Sequence, residues 1–249
     1  LGDVYKRQDK TDALLMKSEQ IRGEVFKPTE RIKLYIVEVK ETNRGPRILV
    51  SRTHPDLVKR LFEKEVAEIQ DGTVEIKNIV REAGSRTKMA VWSNDKNVDP
   101  VGACVGLNGA RVNAIVNDLK GEKIDIINWN EDPCVFIENA LSPSKVVSVA
   151  VDVEEKSAEV VVPDYQLSLA IGKEGQNARL AARLTGYKID IKSESQAAEE
   201  AAKVSEEPEA DEFEIEEDLF NEEINDDFVE DAENTEEAVE DFDAEDIEE

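Results

Sequence analysis

Val105-Gly106-Leu107-Asn108-Gly109, followed by Lys123-Ile124-Asp125-Ile126, returns as Ile171-Gly172-Lys173-Glu174-Gly175, followed by Lys188-Ile189-Asp190-Ile191. The first glycines of the two loops lie 66 residues apart and the K-I-D-I blocks 65 apart, so the register changes by a single residue. In each copy a short helical segment leads into the loop and a longer one leaves it. A strand then closes the unit. Repetition in register over this span marks two copies of one supersecondary unit.

The flanks of the two loops agree. Upstream of the first, residues 73–80 and 86–92 alternate like paired strands joined through Glu82-Ala83-Gly84-Ser85. Asp99-Pro100 then starts a helix over 101–105, with Asp as cap and Pro in the first turn. After the loop, Val112, Ile115, Val116 and Leu119 share a helix face that Gly121 stops, and the strand 123–127 follows. In the second unit a helix over 135–141 leads into a hairpin of 145–153 with 158–162. Asp164 is the expected cap of a short helix, and Ala178, Leu180, Ala181 and Leu184 line the longer one.

Ahead of both units, His54-Pro55 opens a helix with Leu57, Val58, Leu61, Phe62, Val66 and Ile69 at helical spacing, Thr53 as N-cap and Asp71-Gly72 as its stop. His54 is the only histidine, has no partner at catalytic or metal spacing, and reads as structural. Residues 10–53 read as β, with strands at 31–39 and 47–51 around a turn at 42–46. Two strands and an approach segment cannot close a barrel, so this reads as the back part of a truncated β domain. Leu1 to Gln8 match nothing downstream and read as a fragment end; residues 1–9 stay unassigned.

Two glycines three apart make a tight turn with no side chain at either end. The backbone of such a loop can approach a phosphodiester, and the helix that follows presents unpaired N–H groups to the anion. This arrangement resembles the KH domain, whose loop clamps about four nucleotides of single-stranded RNA. The plain alternative is a helix-turn-helix corner with no ligand, which the duplicated context disfavours. Lys173 is placed to pair with phosphate, Glu174 opposes it, and Arg179 and Arg183 follow on the next helix. In the first loop Leu107 and Asn108 carry no charge, and Arg111 is the nearest cation. So few cations predict modest affinity and a shallow salt dependence. Trp92, Trp129, Tyr165 and Tyr187 read as core or interface residues rather than stacking platforms.

The net charge of −27 is unevenly spread. From Glu194 to Glu249 there are 28 acids and one base, Lys203, which leaves 30 acids and 30 bases in residues 1–193. The body can therefore meet nucleic acid although the whole chain is acidic. Low hydrophobicity and like charge predict disorder for 194–249. Phe213, Phe220, Phe228 and Phe242 recur there in acidic surroundings, which fits a segment that competes with RNA for basic surface, with an inert solubilising tail as the alternative reading. Cys104 and Cys134 form no metal motif and read as small buried hydrophobes. No signal peptide, membrane span, nucleophile–base pair, P-loop or metal cluster is legible, so no catalytic residue, cofactor or membrane is expected, and a reduced cytoplasmic location is.

S-R-T-H-P at 51–55, R-E-A-G-S-R at 81–86, D-P-V-G-A-C-V-G at 99–106, G-E-K-I-D-I at 121–126 and P-D-Y-Q-L-S-L-A-I-G-K-E-G-Q-N-A-R-L-A at 163–181 closely resemble the NusA family of bacterial transcription factors, over roughly residues 10–193. The resemblance implies an α+β chain: a truncated OB-fold β-barrel over 10–53, two tandem type II KH domains over 54–130 and 131–193, then the acidic tail. It implies RNA contacts at Gly106, Leu107, Asn108 and Gly109 with Arg111, and at Gly172, Lys173, Glu174 and Gly175 with Gln176, Asn177 and Arg179. It implies nascent RNA, RNA polymerase and antitermination factors as partners of a monomeric protein that modulates pausing, termination and antitermination. Two departures stand out: the family's N-terminal polymerase-binding domain and first barrel strands are not seen, and the first loop lacks the basic middle residue often found there. An RNA-binding accessory region of an RNA-processing enzyme, or a scaffold acting through the acidic tail, are the alternative readings.

Overall fold

A computed structural model describes residues 4–8, 11–43 and 45–206 of the chain. The tail beyond residue 206, with its four phenylalanines, lies outside the described residues.

The first element is an open sheet in the order β1-β2-β4-β3, built from β1 (Val4–Gln8), β2 (Thr11–Leu15), β3 (Tyr35–Thr42) and β4 (Gly45–Ser51). No barrel closes among these residues. β1 is a strand in the segment left unassigned from sequence, and it pairs antiparallel with β2. β3 starts at Tyr35 rather than at 31. The reason is visible at Lys33, whose carbonyl is taken by the buried Arg52 guanidinium and so is withdrawn from a ladder (3.0 Å). Arg52 also clasps the Glu24 carboxylate and donates to the Asp118 carbonyl at 2.9 Å, which ties this sheet's loops to the next domain.

The first repeat unit comprises α1 (Pro55–Glu65), α2 (Ala67–Gln70), β5 (Val74–Glu82), β6 (Arg86–Ser93), α3 (Pro100–Val105), α4 (Ala110–Asp118) and β7 (Lys123–Asn128). The second comprises α5 (Pro133–Ala140), β8 (Ser148–Asp152), β9 (Ser157–Val162), α6 (Leu167–Ile171), α7 (Gln176–Thr185) and β10 (Lys188–Ser193). Each has an antiparallel hairpin whose second strand takes the K-I-D-I strand in parallel. The register is identical: Lys123 faces Arg86 and Lys188 faces Ser157, each the first residue of its middle strand. This helix-hairpin-helix-helix-strand order with a mixed sheet is the expected tandem KH arrangement.

Local chemistry sets the boundaries. His54, not Thr53, is the N-cap of α1: its Nδ1 accepts from the Asp56 amide, while its ring stacks on Tyr35 at 4.5 Å. The structural reading of His54 therefore holds. Asp99 caps α3 as expected. Asp164 does not cap the segment that follows it. Its carboxylate instead accepts from the amide and hydroxyl of Ser195, at the start of α8 (Glu194–Glu206). That helix corrects the expected disorder at 194–206. Ser193 and Gln196 form a reciprocal capping box at its entrance (3.0 and 3.3 Å), so the orphan amides of the first turn are satisfied.

Two cores organise the molecule. Leu57, Val58, Phe62, Met89, Val91, Cys104, Ile115 and Leu119 form one. Ala90 and Ile127 cross into the other, with Phe136, Ile137, Leu141, Val160, Ala181 and Leu184. Strand β6 is thus buried on both faces, and the two units share apolar surface rather than hanging from a linker. Burial pushes the Cys104 thiol up to about 12, so it is an inert hydrophobe, and Cys134 is half-buried. Trp129 bridges the units, edge-on to Trp92 and tilted against Phe136.

Candidate nucleic-acid interface

The two glycine loops have the same backbone. Gly106 and Gly172 sit at φ/ψ of 74/174° and 76/173°, Asn108 and Glu174 at 51/28° and 54/27°, Gly109 and Gly175 at 76/15° and 72/16°. Positive φ at three places in four residues is costly for side chains other than Gly and Asn, and the sequence supplies glycine at two of the three. In each copy the first glycine's amide closes the preceding helix, donating to Gly102 or Ser168 at 2.9 Å.

The two glycines differ in their surroundings. A Cβ at Gly106 would lie 2.8 Å from Arg111 Cγ, and one at Gly172 would lie 2.8 Å from Asn177 Cβ, so these positions are closed by packing. A Cβ at Gly175 would meet nothing within 4 Å, and one at Gly109 only the Asn113 amide and a Val112 methyl. The far side of the second loop is open at the N-terminus of α7, whereas that of the first is narrowed by the Asn113 amide, 3.0 Å from where a Cβ would stand.

The candidate side chains divide accordingly. Leu107 stands 86% exposed at the tip of the first loop, with Asn108 exposed beside it. Lys173 is exposed at the matching tip, with no ion-pair partner among the described residues. Arg111 is turned back: its Nη1 donates to the Ala103 carbonyl (2.6 Å) and to Glu68 (2.9 Å). Asn177 is 1% exposed and donates from Nδ2 to the carbonyls of Leu141 and Ala170. Both residues are second in their helix, beneath the first glycine of their loop. They hold the loops from below rather than from the ligand side.

Gln176 and Arg179 face the first unit. Gln176 donates to Glu82 and Ser85, and Arg179 Nε donates to Glu82 at 2.7 Å. The Arg179 contact first, and Gln176 with it against the cost of desolvation, holds the Glu82 carboxyl below its usual range. Asn78 adds a 2.7 Å bond to the Leu184 carbonyl. The second loop is therefore seated on the β5–β6 turn of the first unit. Spacing between motifs gave no sign of this seat. The acidic-then-small run Glu82-Ala83-Gly84-Ser85 was the only available hint, and it read as a turn.

Tyr165 departs from its expected place in the interior: it is 80% exposed, and Leu169 and Ile171, which lead into the second loop, are exposed as well. Trp92 is 38% exposed, so the aromatic reading holds better for Trp129 and Tyr187.

A family model described as the NusA-like first KH domain matches residues 52–129, and one described as the NusA-like second KH domain matches 133–199. Among curated relatives, a "Transcription termination/antitermination protein NusA" of Bacillus subtilis is 63% identical over 196 residues, covering 79% of this chain and 53% of that protein. One from Mycobacterium tuberculosis is 53% identical over 74% of this chain and 54% of its own length. One from Thermus thermophilus is 46% identical over 86% and 57%. The chain spans about half the length of the curated relatives it matches.

Proposed function

The chain belongs to the NusA family, and we propose that it is a non-catalytic, cytoplasmic RNA-binding transcription factor, which grips single-stranded RNA leaving the polymerase and so modulates pausing, termination and antitermination. The observation that carries this reading is the pair of loop backbones with matching dihedrals, each above a helix N-terminus and the second open on its far side. Partial positive charge from those helix ends and the unpaired first-turn amides favour phosphate at both. Lys173 adds charge at the second clamp only. The second clamp therefore supplies more of the phosphate attraction, and the first contributes by holding backbone close to an apolar tip.

RNA polymerase and antitermination factors are the partners this reading assigns, with the chain acting as a monomer. The open sheet of β1–β4 is read as part of an OB-fold that continues the RNA path. The test is fluorescence anisotropy of a labelled RNA of about 12 nucleotides, on the reach of two clamps of about four each. Leu107→Asp, Asn108→Asp and Lys173→Asp together should abolish binding with thermal unfolding unchanged. Equal binding by the variant would make the loops structural corners.

A further inference from the structure

Lys88 lies in β6, the middle strand of the first KH unit, with its side chain wholly buried. Its ammonium group donates to the Ser142 carbonyl at 2.8 Å and stands 3.2 Å from the Asp125 carboxylate. Asp125 belongs to the K-I-D-I strand of the same unit, where Arg86 holds both of its oxygens, at 2.6 and 3.0 Å. Ser142 belongs to the second unit, in the stretch between α5 and β8. Lys88 therefore carries a charge from the first unit's sheet to one backbone oxygen of the second. That oxygen is one residue from the Leu141 carbonyl, which accepts from Asn177 Nδ2. Asn177 in turn packs against Gly172, the first glycine of the second loop, where a Cβ would come within 2.8 Å of the Asn177 Cβ. One line of contacts thus runs from the first unit, through residues 141–142, to the underside of the second clamp. Two other polar links, from Asn78 to the Leu184 carbonyl and from Glu82 to Gln176 and Arg179, end on α7. The Glu82–Arg179 pair is partly open to solvent, which weakens it.

The second unit supplies an internal control. Lys88 faces Asp125 across β6 and β7, and the residue in the same register of the second unit is Glu159, which faces Asp190. Glu159 is exposed and pairs with Lys192 at 3.1 Å. The unit's fold therefore does not require a buried lysine at this place; of the two, only the unit covered by its neighbour has one. Taking an ammonium out of water is costly, and an apolar side chain of similar volume serves stability as well or better. What the lysine adds is direction. The apolar surface that Ala90 and Ile127 share with the second unit holds without fixing a register. A hydrogen bond aimed at one carbonyl fixes both distance and angle.

We propose that Lys88 is a positioning residue for RNA: buried beyond the reach of any ligand, it sets the second clamp at the separation from the first at which one strand fills both. The proposal rests on the reading that both loops hold RNA. Its test uses the whole chain and two labelled RNAs, of about 4 and about 14 nucleotides, one within a single clamp and one spanning both. The parent should bind the long RNA at least about tenfold more tightly than the short one. Lys88→Met should keep its Tm at or above the parent's. It should bind the short RNA within about twofold of the parent and lose most of the gain on the long one. Glu159→Met, the same change at the matching place of the second unit, should leave that gain intact. Lys88→Gln is neutral and too short to reach the Ser142 carbonyl, so it should behave as Lys88→Met does and serves if methionine is not tolerated. Survival of the long-RNA gain in a folded Lys88 variant overturns the proposal. Equal weakening of both RNAs, or collapse of Tm in both variants, overturns it too and makes Lys88 a residue of folding alone. A parent that binds long and short RNA alike overturns the two-clamp reading instead.

Discussion

At the scale of the residue, the loops divide their labour between what touches a ligand and what stands beneath it. Lys173→Ala removes an exposed charge at a clamp tip, so binding should weaken across all sequences. The slope of log affinity against log salt should fall by about one. Asn177→Ala acts from below. It leaves the Ala170 carbonyl without its side-chain donor, at roughly 1–3 kcal/mol, while the Leu141 carbonyl keeps the Ser144 amide and hydroxyl, so chemical denaturation should register the loss before any RNA titration does. The glycines were legible because positive φ leaves little choice of residue. The roles of Arg111 and Asn177 were not: their position in sequence suits a phosphate contact equally well, and only the direction of the side chain, back toward Ala103 or Ala170, separates the two.

At the scale of the element, the repeat made the order of helices and strands readable, and the shared K-I-D-I register follows from it. The same reading missed α8 because composition dominated: Glu194 opens a run of acids, and the Ser193-x-x-Gln196 capping box at its edge is a four-residue signal beside a long charged stretch. Ser193→Ala should destabilise this helix by about 1 kcal/mol. Faster amide exchange in the turns after residue 193, with exchange in β9 unchanged, is the expected readout; an unaltered pattern would show the cap to be idle. Strand β6 was legible as a strand but not as one buried on both faces, since Thr87 and Lys88 are polar. Lys88 reaches the Ser142 carbonyl and Asp125 in the shared interior. Burial lowers its pKa, and Asp125 opposes that shift.

At the scale of the whole molecule, buried polar knots lock together segments far apart in sequence, here within the first KH unit. Arg81 and Glu122 are wholly buried, and Thr87 and the Gly84 amide complete the carboxylate's shell. Burial alone would raise the Glu122 pKa; Arg81, Thr87 and Gly84 outweigh it, so the net direction is down from 4.5. A carboxylate depressed in the folded state contributes stability that is full above its unfolded pKa and lost as pH falls through the folded value. Thermal stability should therefore fall below about pH 4.5, and Glu122→Gln should lower Tm at neutral pH yet flatten that acid limb. None of these knots was legible, because their members are 35 to 41 residues apart and no periodicity joins them.

The charge split was plain from sequence, and it belongs to this scale too. If the acidic tail competes with RNA, removing residues 207–249 should tighten RNA binding at low salt and make no difference at high salt. An unchanged affinity at low salt would leave the tail without that role.

The measurement that bears most directly on two clamps working as one surface is affinity against RNA length. With oligomers of about 4 to about 14 nucleotides, the parent chain should show a step once the RNA reaches both loops. Lys173→Asp alone, or Leu107→Asp with Asn108→Asp, should each erase the step and return the long oligomers to the affinity of the short ones. A smooth rise with length that either variant leaves intact would contradict the account.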